Sequence, residues 1–262
     1  MKTILIAIDV QNDFMDITGA SLPVPNAVKD TEKLCNWIKK FNPTNIVASL
    51  DSHYKLDISH AGWWLQKNGK PADPFTLITA DSIRNGEFVA RIDPKGSLQY
   101  VEALEANGEF LHFLWTDHCL IGTPGQALLP IFSDTLNEWS MKNLRWVNFI
   151  NKGINPRTEH FGIFRANVPM VEDSNTQVNQ GLFQNLNTFD NIFIAGQAKS
   201  HCVVNSLKQL LEIAPNLASK ITVLEDCTSD VQGLPSDFYA KVDAIYADAK
   251  QKGVQFEKSV TV

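Results

Sequence analysis

Residues 192–211 read IFIAGQAKSHCVVNSLKQLL. An apolar run long enough for one buried strand passes through a short polar loop into a segment of helical period, with His201 and Cys202 at the join. Strand, glycine-containing loop and helix in that order make one unit of an α/β fold, and the pattern recurs along the chain. Comparable runs stand at 3–9 (TILIAID), 45–51 (NIVASLD), 109–115 (EFLHFLW), 145–151 (RWVNFIN) and 220–226 (KITVLED). Their near-continuous hydrophobicity suits strands covered on both faces, as in parallel sheets. Segments of helical period at about 26–41, 97–107, 124–143, 176–187, 201–214 and 235–252 separate most of them. The alternation predicts an α/β three-layer sandwich, Rossmann-like, with a mainly parallel central sheet of about six strands.

The 262 residues, 44% apolar and 20% charged, suit a single domain over 1–262 with a sizeable core. The stretch 64–97 is rich in turn residues and lacks sustained periodicity, so it reads as an excursion serving as lid, oligomer arm or plain insertion. A net charge of -6 argues against nucleic acid and anionic membrane as partners, because both select for clustered Lys and Arg. The first apolar run, Ile4 to Ile8, ends on an aspartate without a cleavage pattern, and no stretch approaches the roughly 20 apolar residues of a membrane span. A soluble, cytoplasmic protein with a small-molecule site is therefore expected. The cysteines at 35, 119, 202 and 227 show no CxxC spacing, hence neither a disulfide framework nor a thiolate zinc cluster.

In such a sheet, ligands sit beyond the carboxyl ends of the strands, where this chain places several reactive side chains. Cys202 opens a helical segment, where backbone N–H groups stabilise a thiolate; the alternative is a small buried hydrophobe. His201 points about 100° away on a helix and is a poor base for it. Asp9 and Lys152 close two other strands and complete an acid, base and nucleophile set, although each alone is an ordinary strand-end charge. Asp51 and His53, two residues apart, share one side of an extended segment, and with His118 they offer three donors suited to Zn²⁺, Fe²⁺ or Mn²⁺. His60 and His160 are read as structural or substrate-lining, and His112, inside a predicted strand, as a core histidine. Phe14, Trp63, Trp64 and Phe161 could sandwich a flat ring or simply fill core.

Five ordered pieces, IDVQNDF, SLDSH, WTDHCLIGTPGQALLP, INKGINPRTEHFGIF and IAGQAKSHCV, together resemble the isochorismatase-like cysteine hydrolases, and nicotinamidases most closely. The resemblance implies a catalytic triad of Asp9, Lys152 and Cys202 and metal ligands Asp51, His53 and His118, with zinc the leading ion. It also implies a cis peptide between Gln197 and Ala198, an oxyanion hole from the N–H groups of Ala198 and Cys202, and a homo-oligomer. The substrate it implies is a small amide such as nicotinamide; another small amide, a carbamoyl compound or isochorismate is the alternative, and a non-catalytic binding scaffold a third. Departures from the nicotinamidase pattern fall at His201, in TEHFGIF, and in the 64–97 excursion, and they touch the substrate pocket, where His201 joins the aromatic residues as a lining group.

Overall fold

A computed structural model describes residues 1–262. In chain order its elements are β1 (Thr3–Ile8), α1 (Ala27–Phe41), β2 (Asn45–Asp51), β3 (Trp64–Gln66), β4 (Leu77–Ile78), α2 (Ala80–Arg84), β5 (Phe88–Ala90), α3 (Pro94–Ala106) and β6 (His112–Phe113). There follow α4 (Pro130–Asn143), β7 (Asn148–Lys152), α5 (Gln180–Leu186), β8 (Asn191–Gly196), α6 (Val204–Ile213), β9 (Ile221–Leu224), α7 (Ser236–Gln251) and β10 (Gln255–Glu257). Six strands form the central sheet in the order β10-β9-β8-β1-β2-β7, and every pairing is parallel.

β1 holds the centre, and its alternation builds both cores. Leu5 and Ala7 face a cluster with Leu34 and Trp37 of α1 and Phe132 and Trp139 of α4. Ile4, Ile6 and Ile8 face the opposite cluster, with Leu182 and Phe183 of α5 and Leu207 and Leu210 of α6. Successive side chains of a strand point to opposite faces, so a strand covered on both must be apolar throughout. Each fully buried Ile or Leu in β1 contributes about 1.5–3 kcal/mol relative to exposure.

The chain runs from β1 to β2 and β7 on one side and through β8, β9 and β10 on the other. The switch point therefore lies between β1 and β8, where a crevice opens beyond the strand ends. Gly196 closes β8 at φ +113, and a Cβ there would collide with the Ile8 carbonyl oxygen. A G196A substitution should therefore push the two strand ends apart, seen as a lowered Tm.

The structure corrects the sequence expectations at several points. The run 109–115 does not join the central sheet: only His112 and Phe113 are extended, and they pair antiparallel with Leu77 and Ile78. The sixth strand is β10, whose exposed edge pattern carries no apolar run to announce it. The excursion 64–97 holds β3 to β5 and α2 and packs with α3 around a separate core that includes Trp63, Trp64, Ile78, Tyr100 and Leu104. Its elements are too short for a period to show. The helical stretches expected from 124 and 176 begin at Pro130 and Gln180, after loops. No helix is long and apolar enough to cross a membrane.

Candidate active site

Asp9 follows β1, Lys152 ends β7, and Cys202 lies in a π-helical turn, Lys199–Val203, that leads from β8 into α6. The three side chains converge. Lys152 Nζ stands 2.9 Å from Asp9 Oδ2, 2.8 Å from Asp51 Oδ1 and 3.4 Å from Cys202 Sγ, and its side chain is fully enclosed. Ser49 of β2 fixes Asp9 from the other side, its hydroxyl donating to Oδ1 at 2.6 Å while accepting the Asp9 N–H at 3.1 Å. Gln11 holds the backbone of Asp51 with a reciprocal pair: it accepts the Asp51 N–H at 2.7 Å and donates to the Asp51 carbonyl at 2.8 Å. Asp13 accepts the Cys119 N–H at 2.7 Å and so pins the loop carrying His118. The roles of Gln11 and Asp13 were not legible in the sequence, where both look like polar residues of a strand-end loop.

The two carboxylates on Lys152 are driven apart. Burial raises Asp9, Lys152 opposes it and Asp51 adds to it, leaving its pKa above the ordinary 3.8. Burial acts on Asp51 as well, but Lys152 and then His53 outweigh it and hold this carboxyl well below the ordinary range. Asp51 is thus the standing anion and Asp9 the group that can take and return a proton. Cys202 also departs from the reading of a pre-formed thiolate: burial, Asp9 and Asp51 outweigh Lys152 and push the thiol well above its usual pKa. It rests as a thiol and needs a base within the cluster.

Beside this cluster, the imidazoles of His53, His60 and His118 offer ligand atoms within 4.8 Å of one another. His53 Nδ1 pairs with Asp57 Oδ2 at 3.1 Å and His118 Nδ1 with the Thr116 carbonyl at 2.8 Å. That leaves their Nε2 atoms directed at Asp51 Oδ2, at 3.2 and 3.4 Å. Outer acceptors that fix the ring and free the inner nitrogen are what a metal-binding histidine needs, and the buried His53 Nε2 has no other hydrogen-bond partner. The residues therefore fit a divalent cation. His60, read from sequence as structural or substrate-lining, belongs to this group, with Nε2 3.3 Å from His118 Nδ1. Its seven-residue distance from His53 carries no recognisable spacing. A D57N variant should lower metal affinity by about 10–100-fold, measured as metal retained after dialysis against a chelator.

Cys202 and Asp51 of the first group and His118 of the second line one small cavity. Phe14, Phe161 and His201 line it as expected, together with Trp115, Glu159 and Val231, which the sequence reading missed. Trp115 was hidden inside a predicted strand, and Glu159 lay in the divergent TEHFGIF piece. Trp63 and Trp64 do not line it. Their indoles donate to Ser97 Oγ at 3.0 Å and the Ile58 carbonyl at 2.8 Å within the excursion core. His160, also buried, does not line it either, and His112 Nε2 donates to the Ile58 carbonyl at 3.0 Å within the excursion core. His201 stacks on Phe238 and is held neutral by burial, its pKa pushed down to about 3. A larger cavity of about 250 Å³, between Trp63, Tyr100 and Arg157, contains no cysteine or histidine; Thr158 faces it while Glu159 faces the smaller one. Asp51, His118 and Cys202 line the smaller one.

The peptide between Gln197 and Ala198 is cis, and the Ala198 N–H donates to no group of the protein. Solved structures share this architecture from end to end. The yeast nicotinamidase bound to the inhibitor nicotinaldehyde superposes with a TM-score of 0.65 at 19% identity, covering 98% of this chain and 99% of that one. The chain has the nicotinamidase fold. An Acinetobacter baumanii nicotinamidase/pyrazinamidase matches at 0.64 and 20% identity over 99% and 97% of the two chains. A Pyrococcus horikoshii pyrazinamidase in complex with zinc matches at 0.55 and 18% identity over 98% and 99%. No protein-family model and no curated protein matches the sequence.

Proposed function

We propose that the protein is a metal-assisted cysteine amidohydrolase that converts nicotinamide, or a similar small aromatic amide, to the acid and ammonia. One observation carries this reading: a single buried ammonium, Lys152, joins Asp9, Asp51 and Cys202 at 2.9, 2.8 and 3.4 Å beside three clustered histidines, with Asp51, His118 and Cys202 lining one small cavity in a nicotinamidase fold.

Asp9 takes the Cys202 proton as Sγ attacks the amide carbonyl, forming the C–S bond and moving the carbonyl π pair onto oxygen. The N–H groups of Ala198 and Cys202 hold that oxyanion. Asp9 returns the proton to the amide nitrogen, the C–N bond breaks and ammonia leaves. A water then gives a proton to Asp9 and attacks the thioester; the C–S bond breaks and Sγ recovers the proton. Lys152 keeps Asp9 in place and balances the charge throughout. Asp51, His53, His60 and His118 would hold a divalent ion, with zinc favoured by the donor set and by the zinc-bound relative, to orient the ring. Trp115, Phe161 and Phe14 supply apolar walls that exclude water. Trapping during turnover should yield a nicotinoyl thioester on the Cys202 peptide by mass spectrometry, and its absence while ammonia accumulates would sink the covalent route.

The pH dependence has a definite sign. Asp9 must be ionised to act as base, so kcat/KM falls as pH drops through its pKa, and burial places that limb above the ordinary carboxylate value of 3.8. His201 is already neutral there, so an H201F variant should keep the same limb while KM rises. A limb that vanishes in H201F would reassign the base.

A further inference from the structure

Away from the reacting groups, one buried carboxylate remains unexplained by the catalytic cluster. Asp30, in the first turn of α1, is 4% exposed and accepts from Ser229 Oγ at 2.6 Å and from Gln197 Nε2 at 3.3 Å, both at Oδ2. Gln197 Oε1 in turn accepts the Ser229 N–H at 3.2 Å, which closes a three-membered ring of hydrogen bonds. The ring clasps two loops. Gln197 precedes the unpaired Ala198 N–H, with its own N–H donating to the Ile8 carbonyl at 2.8 Å, and the Ser229 carbonyl accepts the Lys199 N–H at 2.8 Å. Two residues on, the Val231 N–H donates to Ser200 Oγ at 3.1 Å, and Val231 lines the cavity. The one nearby cation, Lys33, stands 4.0 Å away and half exposed, so ion pairing does not explain a carboxylate placed here.

We propose that Asp30 is a positioning residue: acting through Gln197 and Ser229, it aims the Ala198 N–H at the oxyanion that forms on attack by Cys202. This rests on the amidohydrolase reading. Desolvating a carboxylate is costly unless its hydrogen bonds repay it, and charge-assisted bonds are the stronger kind. A displacement of about 1 Å in a group that meets only the transition state costs about 10²-fold in rate with little effect on ground-state binding.

The test uses pyridine-3-carboxaldehyde. Cys202 adds to it reversibly: the C–S bond forms, the thiol proton leaves with Asp9, and the carbonyl π pair becomes an oxyanion in the same place as in turnover, with no redox change. 3-Methylpyridine, which lacks the carbonyl, reports binding of the ring alone. In D30A the aldehyde Ki should rise about 30–100-fold and kcat fall by a like factor, while the 3-methylpyridine Ki moves less than about 3-fold. D30N, which keeps an acceptor oxygen, should return the aldehyde Ki to within about 5-fold of the parent. S229A, which removes a single hydroxyl and does not threaten folding, should raise it about 5-fold. Aldehyde and ring affinities that weaken together in S229A and D30N, or stay unchanged in both, would overturn the assignment. A parent protein that binds the aldehyde and hydrolyses amides, combined with that result, leaves the amidohydrolase reading intact; a parent thiol that never forms the adduct removes both.

Discussion

Cys202→Ala should lose at least about 10⁴-fold in amide turnover while its metal content and Tm stay at the parent level. The thiol supplies the only nucleophile within reach of both Lys152 and the cavity, and its removal deletes a small side chain whose partner, Lys152, stays held by Asp9 and Asp51. Residual metal-dependent activity in the variant would mean that water attacks directly. The informative control is Cys202→Ser. Serine preserves shape, but its hydroxyl is harder to deprotonate than a thiol, so this variant should be as inactive as the alanine form.

Lys152→Met carries the second large effect, and it falls on stability as well as on rate. Methionine matches the length of the stem but leaves Asp9 and Asp51 facing each other without the ammonium between them. Removing one partner of a buried ion cluster typically costs about 3–5 kcal/mol, because the other charge stays buried and unpaired. Lys152 itself is held protonated, its pKa raised because Asp51 and Asp9 outweigh burial. Its contribution is therefore fully present below the unfolded lysine pKa and fades only above it, so the loss should appear across the neutral range. Denaturant unfolding should show a reduced midpoint at unchanged slope, and D9N added to Lys152→Met should recover part of the stability and none of the activity. An unchanged midpoint in Lys152→Met would mean that the cluster does not carry the charges assigned to it.

The parts of this fold legible in the sequence are those where burial on both faces leaves no choice of residue. β1, β2 and β8 sit at the sheet centre and announce themselves as unbroken apolar runs. β10 is an edge strand of three residues, and an edge carries no such demand. The run 109–115 is as apolar as a central strand because it serves the excursion core and the cavity wall, where Leu114 and Trp115 are wanted for their bulk. The convergence of Asp9, Lys152 and Cys202 was readable, since a charge or thiol after a buried strand has few structural uses. His60 and Glu159 reach the site from loops whose paths no local pattern fixes, and Trp63 and Trp64 leave it for the same reason.

Ammonia release from nicotinamide by the purified protein, with and without a chelator and beside Cys202→Ala, tests the central claim most directly. Release should be abolished by the chelator, returned by restored Zn²⁺ and absent from the alanine variant. Metal-loaded protein with a reactive thiol that releases no ammonia from nicotinamide would contradict it.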